Sequence, residues 1–369
     1  MSRQTSRNNP LIRSLIGTGT LGAPLAAILV IVVLGLGAVG SQLAINFLVA
    51  MIAVAGFGIY SGNSGIMTFG HVAFVGVAAY ASGLLTVPPD IKRQALPNLP
   101  GWLRDTQLSF GAAMVIAVGV VVVVAVLFGI PFARLSAGAT PISTFAMLLI
   151  VYVVLVGAKD VTRGSQTFYG LPSATTLWIG FGAAIVAIFV ARLFRESVFG
   201  LRLQASREDE LASRSSGVSV ARLRFGAWVL SAAVVAVAGV LMGHELTAFS
   251  PKQFYIPLQF MYVAMLVVGG QATVTGSVVG ALVVSALLEG ARRLEGFLHG
   301  VNIFGYSLEN VFGLQEITLG VLILVVMFWR RDGLFDFDEL DDRVRSAIRR
   351  RRESKEPPAV VATPIAANE

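Results

Sequence analysis

The chain is poor in charge and empty of cysteine. Of its 369 residues, 13% are Asp, Glu, Lys or Arg, and none is Cys. A soluble protein carries roughly 25% charged residues, so an ordinary water-facing surface cannot be assembled from this composition. The lack of cysteine excludes disulfide frameworks, thiolate metal sites and thiol nucleophiles. Histidine is scarce as well: His71, His244 and His299 are widely separated and form no metal-ligand motif. No G-x-x-x-x-G-K-[ST] segment occurs and none of the four lysines follows a glycine, which excludes a P-loop nucleotide site. His244-Glu245 is followed by Ala248 where H-E-x-x-H needs its second histidine, and G-x-S-x-G is missing. A membrane enzyme, including one built on His71, is therefore weakly supported. The formal charge of +7 could suit nucleic acid, but the arginines stand mostly in loops and tails between apolar runs. Membrane orientation accounts for them, and nucleic-acid binding is set aside.

What the chain has in abundance is apolar sequence, 55% of all residues. Apolar runs lie near residues 24–40, 43–60, 66–86, 111–131, 139–157, 176–194 and 225–244. A longer run at 256–289 is interrupted by Gly269-Gly270 and Gly276, and a last one lies at 314–329. Most approach the roughly 20 residues needed to cross a bilayer. The first run is longer than a signal-peptide core and further spans follow, so it reads as a retained helix. The expected fold is an all-α polytopic membrane protein of about ten transmembrane helices, or eight plus a re-entrant pair if 256–289 does not cross. In either case both termini share one side, and placing them inside puts 20 of the 28 Lys and Arg residues in cytoplasmic segments. Seven of those lie from Arg192 to Arg224, and orientation by the positive-inside rule rests largely on them.

The organisation expected from this reading is a cytoplasmic tail at 1–22, a transmembrane domain at 23–330 with a cytoplasmic loop at 195–224, and a cytoplasmic tail at 331–369. The external segment 87–108, with four prolines and Trp102, suits an ordered lid-like loop. A second, 159–173, is rich in Gly, Ser and Thr. In the last tail, acidic residues 336–342 precede basic 343–352, and Phe337, Leu340, Val344 and Ile348 recur at helical spacing. Such a helix could lie on anionic membrane lipid, with a solvated tail as the alternative; residues after Glu356 read as disordered.

The central parts of the spans carry no Asp, Glu, Lys or Arg, so a proton relay has no support. They do carry glycine-rich interruptions. Ser61-Gly62-Asn63-Ser64-Gly65 is followed by Met67-Thr68-Phe69-Gly70-His71, and a second interruption runs from Gly269-Gly270-Gln271 to Gly276. Broken helices at membrane depth are tolerated only against protein or a water-filled cavity, and they are a usual pointer to a translocation site. The candidate pathway residues are Gly62, Asn63, Ser64, Gly65, Thr68, Gly70, His71, Gly269, Gly270, Gln271 and Gly276. The competing reading is close packing through small residues; for His71, Asn63 and Gln271 it is a hydrogen-bonded tie between helices.

Within the loop, the acidic cluster Glu208-Asp209-Glu210 comes early and Gly217 stands where a helix would end, so a short helix outside the membrane is expected. Such a helix would suit docking into a partner's groove.

These residues carry a resemblance. Gly200-Leu201-Arg202, then Arg207-Glu208-Asp209-Glu210 and Gly217-Val218, resemble the cytoplasmic loop of LivM-type permeases of branched-chain amino acid ABC importers. The stretch from Gly62 to Phe74 is similar to that family's S-F-G-H-A-A-F segment. Thr162-Arg163-Gly164-Ser165 with Gly170-Leu171-Pro172 is similar to its T-G-G segment, and Val267 to Gly280 resembles its late glycine signature. The order is the family's, over residues from about 60 to 280. Thr68 stands where Ser is common, Arg163 and Ala272 where Gly is usual, and Ser277 where Pro is, departures that bear on the solute more than on the fold.

The resemblance implies a permease subunit of the bacterial inner membrane, carrying branched-chain amino acids or a related small polar solute. Its partners would be two ABC ATPase subunits, a second homologous permease subunit (LivH-like) and an extracytoplasmic solute-binding protein. The chain would bind no cofactor itself, ATP being used by the partner subunits. Arg207, Glu208, Asp209, Glu210, Ala212 and Gly217 would form the coupling helix seated on an ATPase. An ion-coupled secondary transporter or channel is the alternative, for which Asn63 and Thr68 are weak coupling-ion candidates.

Overall fold

The computed structural model describes residues 10–298, 302–303, 306–307, 313–329, 333–335 and 339. The expected amphipathic helix at the end of the chain, His299 and the first nine residues lie outside them. The described chain is overwhelmingly helical: α1 (Pro10–Ser64), α2 (His71–Thr86), α3 (Pro89–Ala95), α4 (Gly101–Arg104), α5 (Phe110–Phe132), α6 (Ala139–Gly157) and α7 (Lys159–Thr162) are followed by β1 (Phe168–Tyr169). Then come α8 (Leu177–Glu196), α9 (Val198–Glu208), α10 (Glu210–Ser215), α11 (Val220–Leu246), β2 (Ala248–Phe249), a 3-10 turn (Pro251–Phe254), α12 (Ile256–Gly269), α13 (Val274–Leu298), the short β3 (Asn302–Ile303) and β4 (Tyr306–Ser307), and α14 (Leu314–Trp329).

Six of these, α1, α5, α6, α8, α11 and α13, are long and apolar enough to cross a membrane; α2 joins them only together with α3, across a 116° bend. The chain is thus a multi-pass membrane protein. The nine apolar runs all recur as helices or helix arms, 256–289 as two of them. The tenfold crossing count is not reached by this measure because α1 holds two of the expected crossings in one helix, and α2, α12 and α14 have 16, 14 and 16 residues. At about 1.5 Å per residue they extend only about 21 to 24 Å. Large apolar side chains such as Leu34, Val123, Ile142 and Trp178 face outward, as a hydrocarbon surround requires.

The first two runs differ from expectation in their bounds. Helix begins at Pro10, inside the supposed tail, since a proline lacking its N–H costs nothing in a first turn. The turn between the runs falls at Gly37, at φ 57° and ψ −129°. The two arms of α1 run in opposite directions along α8. Gly17 lies against Arg192 and Gly22 against Ile185 in the first arm; Leu48 lies against Gly180 and Asn63 beside Arg195 in the second.

The next boundary also moves. Ser61 to Ser64 stay helical because Asn63 Nδ2 and Ser64 Oγ donate to the carbonyls of Ile59 (2.9 Å) and Tyr60 (2.7 Å), one turn back. Gly65, at φ +71°, ends the helix, and the non-helical stretch runs from Gly65 to Gly70. At the opposite end of the bundle, β1 pairs with β2 and the rings of Tyr80, Phe168, Phe249 and Phe254 form one cluster. The 87–108 segment is ordered there by buried Lys92, whose Nζ donates to the carbonyl of Leu103 at 3.1 Å. Burial lowers the pKa of that ammonium, and the charge of Asp105 opposes the shift.

Candidate translocation site and cytoplasmic coupling face

The two interruptions meet. Gly62 passes the loop between α12 and α13 so closely that a Cβ there would stand 2.3 Å from the Gln271 carbonyl oxygen, and one at Gly58 would stand 2.9 Å from Ser277 Oγ. Asn63, Arg195, Gln271, Thr273 and Ser277 line the space between, a narrow crevice of about 10 Å³. The Asn63 carboxamide is fixed across it, accepting from Gln204 Nε2 at 2.9 Å. Gln271 Oε1 is buried and, among the described residues, has no hydrogen-bond partner.

Other candidates separate from this point. Gly269 and Gly276 are packing glycines: a Cβ on Gly269 would lie 1.9 Å from the Gly276 carbonyl oxygen, and one on Gly276 2.2 Å from that of Gly270. Gly270 itself needs its positive φ of 106° to turn the chain between α12 and α13. Gly70 abuts the carbonyl of Thr144. Ser64, besides bonding back to Tyr60, accepts from the Ile66 N–H at 3.2 Å, and Gly65 packs on the Arg207 side chain.

Thr68 and His71 form a second, interior constellation. Ser231 Oγ donates to the Gly56 carbonyl at 2.7 Å, so it must accept from His71 Nε2–H, also at 2.7 Å. That leaves His71 Nδ1 to accept from the Thr68 hydroxyl at 2.7 Å, which fixes the neutral tautomer. The ring is fully buried against Phe57 (4.5 Å between centroids) and Trp228 (4.8 Å). Gln259 closes the set: its Oε1 accepts from the Val72 N–H at 3.1 Å, and its Nε2 donates to the Thr68 carbonyl. His71 thus ties α1, α2 and α11 together. Sequence reasoning missed Gln259 and Ser231; the signal available was Ser231 within the otherwise apolar 225–243 and Gln259 within the apolar opening 256–268 of its run.

On the face where α1 ends and α13 begins, the expected single helix is two, α9 and α10, parted at Asp209. Asp209 caps α10, its side chain accepting from the Ala212 N–H at 2.9 Å. Gly217, at φ +80°, ends it: the Gly217 N–H donates to the Arg214 carbonyl (2.9 Å) and the Val218 N–H to that of Ser213 (3.1 Å), a Schellman motif. Glu208 faces solvent, but Glu210 turns inward to Arg224, 2.8 Å away, and pairs with Arg214. Arg207 leans on the end of α1, its guanidinium 3.4 Å from the Gly62 carbonyl. Leu211 is 78% exposed, and beside the hook that α9 and α10 form, a cleft of about 410 Å³ opens between Phe199, Arg202, Val218 and Arg222.

Burial raises the Glu210 carboxyl pKa, but the hydrogen bonds and charges of Arg224 and Arg214 outweigh it and hold it below its ordinary 4.5. A depressed carboxylate stabilises the fold above its unfolded pKa and stops doing so as pH falls through the folded value. Glu210→Ala should lower the thermal midpoint at pH 7 by about 3 °C or more, since it strands buried Arg224. Glu208→Ala should leave it within about 1 °C. In a melting series, the gap between parent and Glu210→Ala should persist to pH 5 and close below 4.5. A gap that is absent at pH 7 refutes the clip.

Residues 39–329 match the family described as branched-chain amino acid transport system / permease component. The chain is 24% identical over 242 residues to the high-affinity branched-chain amino acid transport system permease protein LivM of Salmonella typhimurium, covering 56% of this chain and 53% of that one. It is 25% identical over 210 residues to the L-arabinose transport system permease protein AraH of Escherichia coli, covering 54% and 58%. To the autoinducer 2 import system permease protein LsrC of Salmonella paratyphi B it is 26% identical over 147 residues, covering 39% and 41%. The chain spans about half the length of the curated relatives it matches. No solved structure matches it.

Proposed function

The chain belongs to the family of branched-chain amino acid transport system permease components, and from that premise we propose that it forms part of the membrane pathway of an ATP-driven importer whose ATPase subunits are separate chains. The observation that carries this reading is the hook made by α9 and α10. It is a rigid, capped and charge-clipped element that leans on the first break through Arg207 and presents Leu211 outward. A partner pushing on that hook would move the end of α1 where the two breaks meet. Each state of such a cycle is favoured by differential contacts, and the hook is where two ATPase subunits would make them.

The solute we propose is a branched-chain amino acid or a related small polar molecule. Where the breaks meet, the Asn63 and Gln271 carboxamides and the Thr273 and Ser277 hydroxyls stand among apolar Ala55, Ile59 and Val274, and a zwitterion asks for hydrogen-bonding groups and apolar walls together. A second, LivH-like permease and an extracytoplasmic binding protein complete the assembly. The chain sits in a bacterial inner membrane with the α9–α10 face in the cytoplasm, and ATP is consumed on the partner subunits.

Because the chain has no cysteine, Leu211→Cys creates a unique thiol. In membranes holding the assembled complex, a thiol cross-linker should join it to an ATPase subunit, and added nucleotide should change the yield several-fold. Solute uptake driven by an ion gradient in proteoliposomes containing this chain alone would refute the proposal.

A further inference from the structure

Residues 333–335 and Glu339 pack on the second break. The Leu334 and Phe335 N–H groups donate to the carbonyls of Val268 and Gly269, each at 2.9 Å. Gly333, at φ +82°, lies so close to Gly270 that a Cβ there would stand 2.5 Å from the Gly270 Cα. Glu339, 6% exposed, then places its carboxylate at the start of α13. Its Oε1 accepts from the Val274 N–H at 2.9 Å and faces Arg195 Nε at 3.2 Å. Its Oε2 accepts from the Thr275 N–H (3.1 Å), the Thr275 hydroxyl (2.6 Å) and Arg192 Nη2 (3.2 Å).

Five donors converge on two oxygens. Two are first-turn N–H groups that have no acceptor within their own helix, at the end where the helix dipole favours an anion. Two are guanidiniums from α8, and Arg192 is 1% exposed. Arg195 also donates to the Ala272 carbonyl, so the same cation grips the loop between α12 and α13. Surface salt bridges count for little, but this one is desolvated, charge-assisted on both sides and shared by three elements. The crevice between Asn63, Gln271 and Ser277 shares Arg195 and Val274 with it.

We propose that the start of α13 with Arg192 and Arg195 is a carboxylate-binding seat, that Glu339 fills it as a tethered latch, and that the seat must empty for the second break to open. Its place in a transport cycle rests on the permease reading; the seat itself does not. Opening separates α13 from α8, and Glu339 opposes that separation because it is the anion both elements share.

The test uses the full chain with Ser277→Cys as its only thiol. In inside-out vesicles it is labelled with a membrane-impermeant maleimide, both alone and assembled with ATPase subunits. Ser277 is 1% exposed, so labelling of the parent is slow. Glu339→Gln removes the charge, and Gly333→Val keeps it but forces the strand off Gly270. Both should label roughly tenfold faster or more, the scale on which losing charge-assisted hydrogen bonds shifts a closed–open equilibrium. Parental rates in both variants, with insertion at the parental level, overturn the latch. If both label faster but ATPase subunits and nucleotide never alter the rate, the latch stands and the permease reading fails.

Discussion

Gly280→Val should cost about 3 kcal/mol or more and leave little monodisperse protein after detergent extraction, a larger effect than most single substitutions produce. A Cβ at Gly280 would stand 1.9 Å from the Met265 carbonyl oxygen and 2.8 Å from the Gly269 Cα. Both atoms are backbone, so no rotamer change can relieve the overlap. Helices α12 and α13 would have to part, and parting them undoes the reciprocal contact of Gly269 with Gly276. In a bilayer no hydrophobic force between helices compensates, because association there depends on close packing. Gly182→Ala supplies the contrast: nothing lies within 4 Å of its Cβ position, and a helical glycine replaced by alanine gains up to about 1 kcal/mol. Thermal midpoints of the two variants in the same detergent should therefore move in opposite directions. A Gly280→Val protein as stable as the parent would show that α12 and α13 do not cross at these glycines.

What was legible in the sequence was whatever depends on neighbours along the chain. The apolar runs became helices because a run of that composition has no other way to satisfy its backbone away from water. Gly217 ended α10 because a Schellman motif is written within a few residues. The turn falls at Gly37 rather than after Gly40: Gly35, Gly37 and Gly40 all stand in one apolar stretch, and only the folded chain shows that Gly40 is a contact glycine, where a Cβ would stand 2.3 Å from the Val32 carbonyl oxygen. Asn63 and Ser64 read as helix breakers but bond back to the preceding turn. The glycine signature near residue 270 held two kinds of residue, Gly269 and Gly276 for contact and Gly270 for conformation, and spacing alone does not part them. Glu210 belongs to the acidic cluster Glu208-Asp209-Glu210 that the resemblance seats on an ATPase; its partner Arg224 comes fourteen residues later, across a turn. Glu339 was the least legible. It lies in an acidic run that reads as part of a helix on the membrane surface or as solvated tail, while its partners in the seat stand 64 to 147 residues away. The site's architecture is non-local, and no local pattern could carry it.

His71→Ala should abolish accumulation of folded protein, while the milder Thr68→Val and Ser231→Ala should cost about 1 to 3 kcal/mol each by leaving a ring nitrogen without its partner. Removing the ring empties a cavity bounded by Phe57, Trp228 and Phe74, a loss of about 3 to 5 kcal/mol on the scale of buried aromatic truncations. It also breaks the chain of hydrogen bonds from Thr68 through Ser231 to the Gly56 carbonyl. These costs fall on the fold, because both ring nitrogens and both ring faces are already engaged by protein. A solute-binding histidine behaves differently: its truncation leaves melting intact and raises the KM for uptake. Ser231→Ala decides between the two, since it leaves the ring in place and touches only the tie to α11. In the assembled transporter it should lower the thermal midpoint and leave the KM of the surviving protein unchanged. A shifted KM at an unchanged midpoint would move His71 from the scaffold into the pathway, and with it the place where the solute meets this chain.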